Sequence, residues 1–377
     1  MTLLISFGLI LLCCLIIWRA SDGFEAASEY LGRNLTDGVR GATINAIGSS
    51  MPELFTTLWF LFVLHDRDGF AGGIGTTAGS AVFNAMVIPA VVIMAVLLAG
   101  LARKVTVSKK VILRDGISLL LAEFVLIFLV SGDTLSWWHG LVLMAMYGAY
   151  VVVLFTGMSA DGGEAGDDDD DDVDDDDGAE GSLIKAIFTL DLERVFIRGD
   201  INGSSAWSLL IVAMLVIGGS CALLVYACES AAGELGIATY FAAVILASAA
   251  TSVPDTILSY RDAMDGEYDD AVANALGSNI FDVCFALGLP LFLYTMLYGD
   301  ITMSAGTVEN ISELRVLLLV STAVAFVIFL VGKGMAWLHS VLLLTIYLLF
   351  TLFILAKAYG AAWAIELGQT LQNFINF

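Results

Sequence analysis

Ten apolar segments determine what this chain can fold into. Each is about 17 residues or longer, the length that a helix needs to cross the hydrocarbon core of a bilayer. The segments lie at about residues 2–18, 38–62, 71–100, 112–130, 135–157, 206–228, 234–260, 270–298, 314–332 and 335–357. Because a bilayer admits only helices and closed barrels, we predict an all-α polytopic membrane protein with ten transmembrane helices. The first segment lacks a basic start and a small-residue cleavage signal, so we expect a retained helix rather than a signal peptide.

A strongly acidic stretch divides the ten segments into two groups of five. Residues 167–177 comprise ten aspartates and one valine, and the chain carries a net charge of −23. Such a run cannot bury apolar surface and repels itself. We therefore expect an acidic linker at 158–205 between a first half, 1–157, and a second half, 206–358, followed by a tail, 359–377. Weak binding of divalent cations is an alternative role for the run, although it lacks the spacing and the turn glycine of an EF-hand loop.

The distribution of lysine and arginine predicts the orientation. Of the sixteen basic residues, thirteen lie on the side of the membrane that includes the central linker, and three lie on the other side. The positive-inside rule then puts the linker in the cytoplasm and the N-terminus outside. We expect the host to be the plasma (cell inner) membrane.

The two halves repeat each other about 200 residues apart. Residues 46–54 read AIGSSMPEL and residues 248–256 read SAATSVPDT, while GSAVFN at 79–84 corresponds to GSNIFD at 277–282. Five helices is an odd number, so the second half enters the membrane from the opposite side. This arrangement is an inverted repeat, which is typical of many secondary transporters.

Each repeated segment places a carboxylate beside a proline within a membrane-length apolar run. A carboxylate at such a depth costs roughly 2.5–3.5 kcal/mol on insertion scales, so Glu53 and Asp255 are functional candidates. Pro52 and Pro254 each remove a helical hydrogen bond and free backbone carbonyls. The further oxygen donors of these segments and of the helices that follow them are Ser49, Ser50, Ser80, Asn84, Thr251, Ser252, Ser278, Asn279 and Asp282.

The spacing of these donors predicts one shared cavity. Ser49 and Glu53 are four residues apart and therefore lie on one helix face, and the same spacing relates Thr251 to Asp255, Ser80 to Asn84, and Ser278 to Asp282. No lysine, arginine or histidine lies in these helix centres. Oxygen ligands with net negative charge suit Ca²⁺ or Na⁺ rather than zinc or copper. The alternative for a single segment, a kink satisfied by its own hydroxyls, is weakened by the duplication.

Other polar residues in the apolar segments are assigned structural roles. His139 and His339 stand beside tryptophans at helix starts, where amphipathic rings form interfacial belts, and His65 lies in a short connection. Glu123 is read as a buried, hydrogen-bonded group, and Glu229 as interfacial. The five cysteines lie in apolar segments and suggest packing rather than disulfides or a metal site.

The quoted motifs resemble the alpha-repeats of the calcium/cation antiporter superfamily, which contains the sodium/calcium exchangers. The family pattern is roughly Gly-Thr-Ser-Leu-Pro-Glu followed by Gly-Ser-Asn-Ile-Phe-Asn/Asp, and the resemblance covers the whole ten-helix layout, with alpha-repeats at about 38–100 and 234–298. The motifs are most similar to those of potassium-dependent sodium/calcium exchangers. Asn45 and Ala250 depart from the pattern, and the Gly-Asn-x-x-Glu style signature of proton-coupled relatives is absent.

The resemblance implies a role for each matching residue. Glu53 and Asp255 would be the central calcium ligands, aided by carbonyls near Ala46 and Ser248, and Asn84 and Asp282 would complete the ligand set. The hydroxyls that would line flanking sodium sites are those of Ser50, Ser80, Ser252 and Ser278. An acidic residue at 282 is a feature of potassium-dependent members, so K⁺ stays open.

We therefore expect a secondary antiporter that exchanges Ca²⁺ for Na⁺ by alternating access, with K⁺ as a further transported ion to be tested. We expect no enzymatic activity, no cofactor and no nucleic-acid partner, and the oligomeric state is left open. The nearer alternative is a calcium (cation)/proton antiporter, in which the same carboxylates titrate. The remote alternative is an intramembrane aspartyl protease, for which Tyr268-Asp269 is present but a Gly-x-Gly-Asp motif is absent.

Overall fold

The computed structural model describes residues 2–33, 43–44, 46–64, 70–161, 189–197, 201–331 and 334–373. The aspartate run, most of the predicted linker and His65 lie outside these described residues.

Helices account for nearly all of the described chain. Up to the linker they are α1 (Leu3–Gly32), α2 (Ala46–Ser49), α3 (Met51–Phe62), α4 (Ala71–Ala99), α5 (Lys109–Leu129) and α6 (Trp137–Asp161). From the linker onward they are α7 (Leu192–Phe196), α8 (Gly203–Leu235), α9 (Thr239–Ala242), α10 (Ser248–Thr251), α11 (Val253–Asp265), α12 (Tyr268–Phe281), α13 (Leu287–Tyr298), α14 (Ala305–Leu330), α15 (Trp337–Ala358) and α16 (Ala362–Asn373). Two π-helical turns, Ala243–Ala247 and Asp282–Ala286, join α9 to α10 and α12 to α13, and two short strands are β1 (Thr134–Leu135) and β2 (Ile301–Thr302).

Eight helices of the described chain are long and apolar enough to cross a membrane, which establishes a multi-pass integral membrane protein. They are α1, α4, α6 as far as Thr156, α8, α14, α15 and the composite helices Thr239–Asp265 and Tyr268–Tyr298. The other two predicted segments are also helical. The α2–α3 pair is broken at Ser50, and α5 carries Lys109, Lys110, Arg114, Asp115 and Glu123, so ten membrane-spanning helices remain a prediction.

Helix α1 continues well past the predicted apolar segment at 2–18. It ends only at Gly32. The helix continues beyond the apolar segment because one face of the polar part is still buried, through Ser21, Phe24, Ala27 and Ser28. The continuation also carries Asp22, Glu25 and Glu29. Along its length α1 packs most extensively against α8.

Helix α4 lies at the centre of the bundle. It contacts α3, α11, α12, α14 and α15. Its first turns read AGGIGTTAGSA, and small residues let neighbouring backbones approach closely. A Cβ added at Gly79 would collide with the Val244 carbonyl and lie 2.9 Å from the Cβ of Ser248. Glycine at this position therefore brings Ser80 against the second half.

Two short backbone bridges join the halves at opposite ends of α5. Thr134 pairs antiparallel with Thr302, whereas Val105 and Met335 exchange N–H···O bonds of 2.9 and 2.7 Å. The repeat offset of about 200 residues relates Val105 to the neighbourhood of Thr302 and Met335 to the neighbourhood of Thr134, so the two bridges are equivalent under the repeat. This is the relation expected of an inverted repeat, in which matching parts lie on opposite sides of the membrane.

The two matching histidines act as caps where their helices begin. His139 Nδ1 accepts the backbone N–H of Ser136 at 2.9 Å, and His339 Nδ1 accepts that of Ala336 at 3.1 Å. The neighbouring Trp137 and Trp337 are exposed, as interfacial rings would be. All five cysteines are free, in line with a packing role.

The contact between α6 and α13 supplies a test of the packing. A Cβ on Gly140 would lie 2.7 Å from the backbone N of Phe292, and backbone atoms cannot move aside. We expect Gly140→Val to destabilise the protein by on the order of 1–3 kcal/mol, the usual cost of overpacking. Thermal denaturation of the detergent-purified protein measures the change.

Gly148→Val is the matched control, because Gly148 lies on the same helix and a Cβ there would meet nothing within 4 Å. It has a similar effect on helix propensity. Equal losses of stability in the two variants would contradict the close α6–α13 contact.

Candidate ion-binding site

Both repeated segments contain a helix break immediately before the proline. Ser50 (φ −93°, ψ 6°) separates α2 from α3, and Ser252 (φ −78°, ψ 2°) separates α10 from α11. Proline has no N–H and cannot bond the carbonyl four residues earlier. The prolines therefore leave the Gly48 and Ala250 carbonyls without their helical donors, which makes these two carbonyls available for ligation.

The backbone carbonyls named in the sequence analysis are engaged in local hydrogen bonds. The Ala46 carbonyl accepts Ser50 N–H at 3.2 Å, and the Ser248 carbonyl accepts Ser252 N–H at 3.1 Å. Thr251 Oγ1 also donates to the Ser248 carbonyl at 3.1 Å. An ion that used these two carbonyls would compete with helical hydrogen bonds.

Within each half, a serine hydroxyl donates to the repeat carboxylate. Ser80 Oγ lies 3.0 Å from Glu53 Oε1, and Ser278 Oγ lies 2.7 Å from Asp255 Oδ1. These two contacts are equivalent under the repeat. Each serine lies four residues before the second polar position of its helix, Asn84 or Asp282, so one face of α4 and one face of α12 turn toward the carboxylates.

Other hydrogen bonds join the two halves into one cluster. Asn84 Nδ2 donates to Asp255 Oδ2 at 3.0 Å, and Ser80 Oγ lies 3.1 Å from Asp282 Oδ2 and 2.9 Å from Ser252 Oγ. Ser49 Oγ lies 3.5 Å from Ser278 Oγ. The convergence of the four helix faces is therefore present in the structure.

Several oxygens at the centre of the cluster have no hydrogen-bond partner among the described residues. They are Glu53 Oε2, Asp282 Oδ1, Asn84 Oδ1 and Ser50 Oγ, and all four side chains are fully buried. Buried polar groups are normally paired. Oxygens of this kind are the donors that a hard cation such as Ca²⁺ or Na⁺ could use.

The three carboxylates also lack a counter-charge. No ion pair in the described part of the chain involves Glu53, Asp255 or Asp282. Isolated buried carboxylates are very costly, so the site requires bound cations or protons. Across the described ranges, no three His, Cys, Asp or Glu side chains stand close enough to form a ready-made metal cluster. Ser80 instead bridges Glu53 and Asp282, and Ser278 and Asn84 bond Asp255, so hydroxyl and amide groups surround the carboxylates.

The site residues named from the sequence are all buried. Twelve of these residues are Ala46, Ser49, Ser50, Glu53, Ser80, Asn84, Ser248, Thr251, Ser252, Asp255, Ser278 and Asp282. The further oxygen donor Asn279 is buried as well, and its Nδ2 donates to the Ala81 carbonyl at 2.9 Å.

Asn274 is a further buried polar residue beside the cluster that was not predicted, and its Nδ2 lies 3.0 Å from Ser259 Oγ and 3.4 Å from the Asp255 carbonyl. Its position four residues before Ser278, on the same helix face, was the available signal. Glu123 is buried as expected and accepts Thr322 Oγ1 at 2.7 Å, outside the site.

When the chain is compared with known families, one family profile matches two of its segments, one in each half. The profile of the family described as "Sodium/calcium exchanger protein" matches residues 5–156 and 205–356. Among curated proteins, human sodium/potassium/calcium exchanger 3 is 40% identical over 121 residues, which is 32% of this chain and 17% of the human protein. Mouse sodium/potassium/calcium exchanger 4 is 36% identical over 121 residues, 32% of this chain and 18% of the mouse protein. The match thus spans less than a fifth of the length of these relatives.

Solved structures share the fold across nearly the whole chain. The H⁺/Ca²⁺ exchanger CAX superposes with a TM-score of 0.62 at 16% identity, covering 98% of this chain and 92% of that one. The sodium-calcium exchanger NCX_Mj, soaked with Na⁺ and Sr²⁺, superposes with a TM-score of 0.57 at 20% identity, covering 92% and 98%. At these identities the likeness concerns the fold.

The Ser80 hydroxyl contacts Glu53, Ser252 and Asp282. Removing this hydroxyl tests whether it bridges the two carboxylates. Ser80→Ala leaves Glu53 Oε1 and Asp282 Oδ2 without their shared donor. We expect a loss of stability on the order of 1–3 kcal/mol, the cost of leaving buried acceptors unsatisfied. The thermal midpoint of the purified protein in chelator and choline buffer measures it.

Ser340→Ala is the control for that experiment. Ser340 is equally buried, and its Oγ has no partner among the described residues, so its removal should change stability by a few tenths of a kcal/mol at most. Equal behaviour of the two variants would show that Ser80 does not bridge the carboxylates.

Proposed function

The chain belongs to the sodium/calcium exchanger protein family, and from this premise we propose that it is a secondary antiporter that exchanges Ca²⁺ for Na⁺ across a membrane. The observation that carries the proposal is the buried cluster of Glu53, Asp255 and Asp282, which has unpaired oxygens and no basic partner. The family is one of exchangers rather than of enzymes.

The proposed ligand set follows the oxygens of the cluster. Glu53 and Asp255 are the central Ca²⁺ ligands, and Asp282 and Asn84 complete the set from the facing helices. Ser49, Thr251 and the carbonyls near Ala46 and Ser248 flank the carboxylates. Sodium ions occupy separate positions beside the hydroxyls of Ser50, Ser80, Ser252 and Ser278. Oxygen donors of this kind are those preferred by hard cations.

Charge neutralisation explains why exchange is coupled. One Ca²⁺ or several Na⁺ offset the buried carboxylates, so the loaded site can close off from water. The empty site resists closure, because burying uncompensated charge is expensive. Only loaded forms then change the side to which the site opens, which is the requirement for antiport.

The orientation and the domain limits form part of the proposal. We place the N-terminus outside and the linker at 158–205 in the cytoplasm of a plasma (cell inner) membrane, with halves at 1–157 and 206–358 and a tail at 359–377. The basic residues on the linker side support this orientation.

Potassium is proposed as a co-transported ion, and proton exchange is the second candidate. Asp282 supplies a third carboxylate, and the curated relatives above are named as sodium/potassium/calcium exchangers. The observation that favours protons is the fold shared with an H⁺/Ca²⁺ exchanger. Carboxylates without basic partners could bind protons in place of Na⁺.

Replacing either repeat carboxylate should strongly reduce exchange. We expect Glu53→Gln and Asp255→Asn to reduce sodium-driven ⁴⁵Ca²⁺ uptake into proteoliposomes at least about tenfold, the factor that corresponds to losing ~1.4 kcal/mol of ion binding. Glu123→Gln is the matched control, since Glu123 is a buried acid outside the site, and it should retain uptake. Normal uptake by the Glu53 and Asp255 variants would contradict the site.

Imposed ion gradients separate the coupling ions. Wild-type uptake of ⁴⁵Ca²⁺ should follow an outward Na⁺ gradient and increase when K⁺ is present with Ca²⁺. Asp282→Asn should lower the uptake and remove its K⁺ dependence, because one carboxylate of the proposed ligand set is lost. Uptake driven by a proton gradient with Na⁺ absent would instead support the second candidate.

A further inference from the structure

An acidic cavity lies beside α1 and α11, separate from the cluster described above. It has a volume of about 370 Å³ and opens on the side of the linker helix α7. The carboxylates in its lining are those of Asp22, Glu25, Glu29, Asp191 and Glu193. With two arginines also present, the lining carries a formal charge of −3. We call this cavity the vestibule.

The guanidinium of Arg261 bridges two of the vestibule carboxylates. Its Nη2 lies 3.0 Å from Asp22 Oδ1, and its Nη1 lies 3.8 Å from Glu25 Oε2. Arg19 Nη1 lies 4.0 Å from the other oxygen of Asp22. Arg261 is 45% exposed, so its long side chain can swing away without unpacking α11. It stands six residues after Asp255 on that helix.

A second, much smaller cavity shares lining residues with the vestibule and with the two repeat segments. Its volume of about 10 Å³ is close to the room of one water molecule. Asp22 and Glu25 line both cavities, and the smaller one also touches Ser49 and Pro254 of the two repeat segments. We call this second cavity the neck.

Ser21 adds a buried hydroxyl to the neck, whose lining also includes the apolar Ile44, Ile257 and Leu258. The Ser21 side chain is 7% exposed, yet its Oγ has no hydrogen-bond partner among the described residues. A buried hydroxyl without a partner is unusual. An ion or water in the neck would provide the missing partner.

Glu193 lies among carboxylates of like charge in the vestibule lining. Glu193 lies in α7, outside the membrane-spanning helices. Burial raises its pKa, and the neighbouring charges of Asp191, Asp22 and Glu29 raise it further. Clefts lined by one sign of charge concentrate counter-ions, so this vestibule should concentrate cations.

We propose that the vestibule is a second cation-binding site, which receives Ca²⁺ on the linker side and passes it through the neck to Glu53 and Asp255. Asp22 and Glu25 supply hard oxygen ligands, and the Arg261 guanidinium occupies their oxygens until a divalent cation displaces it. The delivery role rests on the proposed exchange function, whereas binding in the vestibule does not.

Transport kinetics should show opposite effects of the two kinds of charge. With Ca²⁺ supplied on the linker side, Asp22→Asn with Glu25→Gln should raise the KM for Ca²⁺ several-fold at unchanged kcat. Arg261→Gln should lower KM, because the competing tethered cation is gone, and Arg261→Lys should resemble the wild type. Asp133→Asn, an exposed acid next to β1 at the other end of α5, should change nothing. Shifts of KM in the same direction for the acid and arginine variants, or no shifts, would overturn the delivery role.

Terbium luminescence tests vestibule binding without any transport. Tb³⁺ is a Ca²⁺ surrogate that emits when excited through a nearby tryptophan, and Trp18 lines the neck. The full chain is measured in detergent in the Asp255→Asn background, which disables the proposed exchange site. Saturable emission should persist there, and it should fall with Asp22→Asn plus Glu25→Gln and with Trp18→Phe.

The outcomes of the terbium experiment separate the two proposals. Emission that is absent, or that ignores the Asp22 and Glu25 substitutions, would overturn the vestibule site. If the terbium emission depends on Asp22 and Glu25 as expected but the wild-type protein shows no exchange of Ca²⁺ for Na⁺, the proposed function is refuted. The vestibule site is then still supported.

Discussion

The uncompensated charge of three buried carboxylates is the constraint on which the rest of the structure depends. Glu53, Asp255 and Asp282 lie fully buried with no basic partner in the described chain, and such charge is tolerated only when cations or protons share the site. The breaks at Ser50 and Ser252 bring the first two carboxylates to helix starts, where the N-terminal dipole favours negative charge. The glycine-rich packing of α4 against the second half holds the serine donors in reach.

The site is pseudo-symmetric, and its two sides differ in how well they are satisfied. Both oxygens of Asp255 accept hydrogen bonds, from Ser278 and Asn84. Glu53 and Asp282 each keep one oxygen without a partner and share the single hydroxyl of Ser80. Glu53 and Asp282 therefore form the side of the cluster on which acceptor oxygens are left without hydrogen bonds. This asymmetry follows from one difference between the repeats, Asn84 against Asp282.

The convergence of the cluster side chains was predictable from the sequence because the repeat fixes these residues and their spacing. The pairing of Ser80 with Glu53 and of Ser278 with Asp255 follows from helix faces that four-residue spacing defines. The π-helical turn that begins at Asp282 could not be predicted, because it depends on packing rather than on composition. The vestibule was missed because hydropathy ends the first segment near residue 18, whereas tertiary contacts extend α1 to Gly32 and bring Asp22 to Arg261.

Equilibrium binding of ⁴⁵Ca²⁺ to the purified protein, titrated with Na⁺, tests the central claim most directly. If Glu53, Asp255 and Asp282 form one shared site, Na⁺ should displace the tightly bound Ca²⁺ with a Hill slope above one, since several monovalent ions must replace one divalent ion. Asp255→Asn should remove this tight binding, and Glu123→Gln should preserve it. Tight Ca²⁺ binding that Na⁺ does not displace, or that survives Asp255→Asn, would contradict the account.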